Sequence, residues 1–253
     1  MGWRLLLALM LAFMLAPIAL VVLFSVGSNA LIGFPMGGLT LDWYRGLAAD
    51  AGFRAAVRTS LGVAGATAVL ATLTGTLAAL ALVRLSPRAA ALALGVLSIP
   101  VLLPPLVVAI AIVVFVVRGL GLPLGLPVVT LGHVLVTQPF VILIVMARLA
   151  RFDHAAVEAA RDLGATPLQA FRLVTLPQIS SALVGAGLIA AAISLDDFVI
   201  ASFTLGGGNT VSTFVWGMMR TTLDPSINAV ATLLLALTVA ASALALRLSR
   251  YRG

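Results

Sequence analysis

The 253-residue sequence contains no cysteine and no lysine, and charged residues make up only 9% of it. The missing cysteines exclude disulfides and thiolate metal centres, and leave the redox compartment unread. The missing lysine excludes a phosphate-binding loop of the form GxxxxGK[ST], so this chain carries no ATPase site of that type. The shortage of charge excludes an ordinary soluble domain, in which about a quarter of residues are charged. His133 and His154 are far apart, lack metal-ligand spacing, and read as ordinary polar residues. No nucleophile–base arrangement is evident; Ser60, Ser98, Ser180 and Ser181 read as hydroxyls used in helix packing.

What is present is apolar surface, with 62% of residues hydrophobic. A single core of this size cannot hide so much of it from water, so lipid is the natural solvent. In lipid the backbone is restricted to helices or a closed barrel. The apolar runs are continuous rather than alternating, which predicts an all-α, polytopic transmembrane bundle. Six segments reach the roughly 20 residues needed to span: Leu5–Val26, Thr59–Val83, Ala89–Val117, Leu131–Ala147, Ile179–Phe203 and Ile227–Leu246. The first, with Arg4 before it and Ser28-Asn29-Ala30 after it, exceeds the 7–15 apolar residues or so of a signal peptide and reads as an uncleaved span.

The net charge of +7 rests on arginine alone. These arginines lie between apolar segments and are not clustered with aromatics, so they read as topology markers and not as a nucleic-acid surface. With the N-terminus inside, the inner pieces hold Arg4, Arg84, Arg88, Arg148, Arg151, Arg161, Arg172, Arg247, Arg250 and Arg252, against Arg45, Arg54, Arg58, Arg118 and Arg220 outside. The positive-inside rule then predicts both termini in the cytoplasm. The first outer loop, Gly27–Arg58, carries Trp43 and Tyr44, which suit a segment lying along the outer surface.

Pro100, Pro104 and Pro105 predict a kinked third span packed inside the bundle or lining a cavity. Gly62, Gly65 and Gly75 predict close helix contact along the second. No repeat or linker stands out, so the chain, 1–253, reads as one transmembrane domain.

One inner loop, Arg148–Pro177, is far longer than the others. Asp153 caps a helix from Ala155 to Leu163, and Gly164 ends it. Thr166-Pro167-Leu168-Gln169 then starts another as a capping box. This helix–turn–helix elbow is either a docking element or a surface hairpin. Glu158-Ala159-Ala160, three residues, Gly164, nine residues, Val174, one residue and Leu176-Pro177 resemble the EAA signature of ABC importer permeases, with Val174 as the one departure. The resemblance implies a MetI-like permease, with the elbow as coupling helix in a cleft of a separate ATPase subunit. Glu158, Arg161 and Asp162 would supply polar contacts, Ala159 and Ala160 close approach, and Gly164 the bend. Rocking of the spans would follow ATP hydrolysis and give alternating access. ATP and Mg would then be bound by that partner, with no cofactor in this chain.

Polarity intrudes into lipid most clearly at Ser194-Leu195-Asp196-Asp197-Phe198. On a continuous helix Gly187, Ala190, Ser194, Asp197, Ala201 and Thr204 form one small, polar stripe. Asp197 is then the better candidate to face a water-filled pathway, and Asp196 lies about 100° away, toward a neighbouring helix or partner subunit. Acidic groups without basic compensation favour a cationic solute. The stretch from Ser194 to Phe203, Asp224-Pro225-Ser226-Ile227-Asn228-Ala229 and Leu41-Asp42-Trp43-Tyr44 resemble the spermidine/putrescine permease subfamily, in its second, C- or I-type permease. That resemblance implies polyamine import across the bacterial inner membrane. The complex it implies joins a homologous second permease, two ATP-binding subunits and an extracytoplasmic solute-binding protein. Trp43 would either anchor at the membrane interface or stack on the cation. Permeases for oxyanions, phosphonate or ferric iron share the elbow and remain alternatives for the cargo. An ion-coupled secondary transporter using Asp197 would not need the elbow.

Overall fold

A computed structural model describes residues 2–29, 33–221 and 224–250, with the side chains of His154 and residues 241–250 outside the description. Ala30, Arg252 and the side chains of Arg247 and Arg250 therefore fall outside it. The described residues form helices, with one isolated antiparallel bridge between Gly27 and Leu39. In order these are α1 (Gly2–Phe24), α2 (Asp42–Ala49), α3 (Ala51–Leu82), α4 (Pro87–Leu102), α5 (Pro105–Val113), α6 (Leu126–Leu149), α7 (His154–Asp162), α8 (Pro167–Ala170), α9 (Leu176–Asp196), α10 (Val199–Thr204), α11 (Val211–Thr221) and α12 (Ser226–Arg250). A π turn, Val114–Gly119, follows α5, and another, Phe171–Thr175, joins α8 to α9.

Among the described residues four helical segments are long and apolar enough to cross a membrane: Gly2–Phe24, Ala51–Leu82, Leu126–Leu149 and Pro167–Asp196. The third predicted span departs from a simple kink. It is two helices, α4 and α5, bent by 94° at Leu103-Pro104, because consecutive prolines withhold amides and push the residue before them out of helical geometry. Pro104 and Pro105 are exposed rather than packed inside the bundle, while Pro100 edges an apolar cavity of about 380 Å³. The fourth span starts at Leu126 with Pro127 in its first turn, where the missing amide costs nothing. The sixth predicted span lies on α12, described with side chains only as far as Ala240.

The chain forms two compact units. The first joins residues 1–58 to 209–241. Within it α2 is tied to the end of α1: the Trp43 indole N–H donates to the Gly27 carbonyl at 2.7 Å, and the Tyr44 hydroxyl to Ser25 Oγ at 2.7 Å. Leu47, Phe53, Ala56, Val211, Ala229 and Val230 form its core. At the surface, Thr40 and then Arg45 hold the Asp42 carboxyl below the usual carboxylate range.

The second unit, residues 59–208 with 242–253, centres on α6 and α9. Val141, Ile142, Val145, Ile179, Ala186 and Ala190 are buried between them and α3. Of the three glycines expected to bring helices together in the second span, only Gly75 does so: a Cβ there would sit 2.6 Å from Val141 Cγ1, whereas Gly62 and Gly65 have nothing within 4 Å. Gly75→Ala should destabilise the protein by about 1–3 kcal/mol, because the β-branched Val141 is stiff and fully packed. Gly62→Ala should raise stability slightly through better helix propensity. Thermal unfolding of the detergent-solubilised chain measures both.

Candidate functional site

The fifth apolar segment stops being a helix where its carboxylates begin. Asp196 is the last residue of α9, and Asp197 is extended, at φ −66° and ψ 121°. The stripe predicted on a continuous helix is therefore interrupted, and the 100° separation of Asp196 from Asp197 does not apply. Ala190, Ser194, Ala201 and Thr204 are buried in helix packing, and Gly187 meets Thr72 of α3. The stripe serves close packing.

His133, 1% exposed on α6, is the group that organises this break. Its Nδ1 lies 2.7 Å from Ser194 Oγ, which lies 3.5 Å from Thr67 Oγ1 of α3. Its Nε2 lies 3.3 Å from Asp197 Oδ1, close enough for electrostatic attraction but off-line for a hydrogen bond. Ser194 Oγ and Asp197 Oδ1 thus lie against the two nitrogens of one buried ring. Asp197 Oδ1 also accepts the Ala201 amide at 3.1 Å, so it caps the first turn of α10. The ring on α6 thus joins the end of α9 to the chain break, with α3 reaching the cluster through Ser194.

His133 reads as an ordinary polar residue from its spacing, which is a metal-ligand test. The available signal was different: it is the one ionisable side chain between Leu126 and Ala147, and such a residue inside a span calls for a partner. Asp196 stands apart from the cluster. It is exposed, and no described residue bonds its carboxylate. Trp43 is half-buried against the core of the first unit, with its N–H already donated.

The elbow forms as its sequence predicts at all three of its caps. Asp153 accepts the Ala155 amide at 3.0 Å, and Gly164 takes φ +89°. Thr166 and Gln169 complete a capping box, at 2.8 and 3.3 Å. The second arm differs from a separate short helix. From Pro167 it runs through the π turn into α9, so Leu176 and Pro177 lie within a helical segment of 30 residues, Pro167–Asp196. The wider turn accommodates the amide that Pro177 lacks. Arg148 Nε donates to the Gln178 carbonyl at 2.9 Å and ties the end of α6 to this segment. Glu158, Ala159, Arg161, Asp162 and Gly164 are exposed, as are Pro177 and Leu176, while Ala160 is half-buried. Leu163, at the bend, is 90% exposed.

A model of the family described as binding-protein-dependent transport system inner membrane component matches residues 71–251. The chain belongs to that family. It is a permease subunit of an ABC importer, a multi-pass protein of the inner membrane. The putrescine transport system permease protein PotI of Escherichia coli K12 is 34% identical over 241 residues, covering 92% of this chain and 85% of PotI. The spermidine/putrescine transport system permease protein PotC of the same strain is 32% identical over 229 residues, covering 90% and 86%. Among solved structures, a chain of the bacterial alginate ABC transporter in complex with an alginate pentasaccharide-bound periplasmic protein superposes with a TM-score of 0.76 at 15% identity, covering 98% of this chain and 93% of that one. The permease has the MetI-like fold that its elbow implies.

His133→Leu should cost about 1–3 kcal/mol, since it leaves Ser194 and the half-buried Asp197 without their shared partner. His133→Gln, which keeps one polar contact, should cost less. Thermal unfolding of the permease ranks the two variants, and equal stability of wild type and His133→Leu would remove the imidazole from its organising role.

Proposed function

We propose that this permease imports a polyamine, putrescine or spermidine, driven by ATP hydrolysed on separate subunits. The observation that carries the reading is similarity over nine-tenths of the chain to two permeases named for those cargoes. The chemistry agrees with it. Asp196 offers an exposed carboxylate at the end of α9, beside Asp197, and an alkyl diammonium needs such groups along its route. Ser194 contributes by holding His133, and Trp43 by packing and interfacial anchoring.

In the assembled importer this subunit pairs with a homologous permease, two ATP-binding subunits that hold ATP and Mg, and an extracytoplasmic solute-binding protein. Both termini lie in the cytoplasm, as the arginine excess favours. The elbow then faces the ATPase. Glu158 and Asp162 present charge, Ala159 close approach, and Leu163 an apolar tip to its cleft. Gly164, at φ +89°, holds the bend at a conformation that other residues adopt only with strain.

Reconstitution with the cognate ATPase and binding protein should give ATP-dependent uptake of putrescine or spermidine, and none of sulfate or a neutral amino acid. Uptake of an oxyanion in place of the diamine would overturn the cargo. Asp196→Asn and Asp197→Asn should each lower diamine uptake at least tenfold, the size expected from removing a charge-assisted contact of about 1.5–3 kcal/mol. Glu158→Lys or Gly164→Trp should leave membrane insertion intact while ATP hydrolysis continues without uptake. Coupled transport by both would exclude the elbow as the transmission element.

A further inference from the structure

Where α3, α6 and the elbow converge, a cavity of about 310 Å³ is walled by Leu80, Val83, Leu149 and Phe152 and carries the guanidinium-bearing Arg84 and Arg161. It lies at the ends of two segments long and apolar enough to cross a membrane: Leu82 ends α3 and Leu149 ends α6. Neither arginine pairs with a carboxylate among the described residues, although Glu158 and Asp162 share α7 with Arg161. Val157 and Arg161, one helical turn apart, both line the cavity, so the exposed Arg161 turns to the bundle side of α7. Arg161, expected among the ATPase contacts, therefore also borders this cavity.

We propose that this cavity binds an anionic phospholipid of the adjoining leaflet, with the phosphodiester on Arg84 and Arg161 and the glycerol and first chain carbons along the leucine, valine and phenylalanine wall. Two unpaired guanidiniums beside an apolar wall need an anion that brings its own apolar stem. Guanidinium matches phosphate oxygens in a planar fork, and basic pockets between spans at the membrane surface suit such headgroups. The volume, near the bottom of the range of roughly 300–1,000 Å³ for small-molecule sites, fits a headgroup and its glycerol rather than a whole lipid. Bound there, the lipid links α7 to the ends of α3 and α6, the path by which movement of the elbow reaches the spans. Lipid composition would then tune coupling without touching the cargo.

Native mass spectrometry of the permease, purified together with its ATPase subunits and delipidated, tests this with phosphatidylglycerol, phosphatidylcholine and inorganic phosphate as probes. Wild type should retain phosphatidylglycerol over phosphatidylcholine, and millimolar phosphate should not displace it. Arg84→Gln and Arg161→Gln should each weaken retention roughly fivefold, and the pair about twenty-five-fold, at about 1 kcal/mol for each basic residue near the membrane surface. Val83→Trp, which fills the cavity and keeps both charges, should also lose the lipid. Arg45→Gln, at the exposed Asp42 pair of α2, should change nothing. Equal retention by wild type and the double variant, equal retention of the two lipids, or displacement by inorganic phosphate would each overturn the proposal. So would loss of the ATPase subunits from the double variant with its lipid content unchanged, which would assign the arginines to the ATPase.

Discussion

A buried imidazole with two complementary neighbours is the contact on which the second unit turns. A helix that ends inside an apolar bundle leaves amides and carbonyls that water cannot reach, and each must find a partner in the protein. At the α9–α10 break, Asp197 supplies the partner for the Ala201 amide, and His133 stands against the charge this carboxylate brings. Ser194 completes the other side of the ring. Removing the imidazole takes away the neighbour that a half-buried carboxyl and a buried hydroxyl share. The same constraint is met differently at Leu103-Pro104, where the break lies on an exposed apolar surface and consecutive prolines remove the donors themselves.

Of two adjacent acids, one is held within the fold and the other is left exposed. An acid that caps a helix and faces a histidine is held in place by the fold; an exposed acid at a helix end is not. The break that separates them therefore does more than a stripe on a continuous helix would: it turns neighbouring residues in sequence to different environments. The elbow shows a parallel arrangement. Glu158 and Asp162 lie on the exposed surface of α7, while Arg161, between them in sequence, borders a cavity at the bundle.

Much of the elbow was legible because its signals are local. Asp153, Gly164 and the Thr166–Gln169 box act on amides and dihedrals within a few residues, so the chain specifies them without knowing its neighbours. The run of π turn into α9 was less legible, because Leu176-Pro177 resembles a boundary and a wider turn absorbs the missing amide. Gly75 and Gly62 are alike in sequence, and only the approach of Val141 separates them. The role of His133 is not legible because its partners lie 61 and more residues away, one on α9 and one in the break that follows it.

The sequence by itself determined that this protein lives in lipid, that it is helical, and that one elbow carries the EAA signature. Those properties follow from composition, apolar run length and short-range capping, each additive along the chain. Only the tertiary structure decided that the third apolar segment folds back through 94°, that the fifth breaks at its acids, and that His133, Ser194 and Asp197 meet. These outcomes depend on which distant groups satisfy the polar atoms a break exposes, and that pairing exists once the helices have packed.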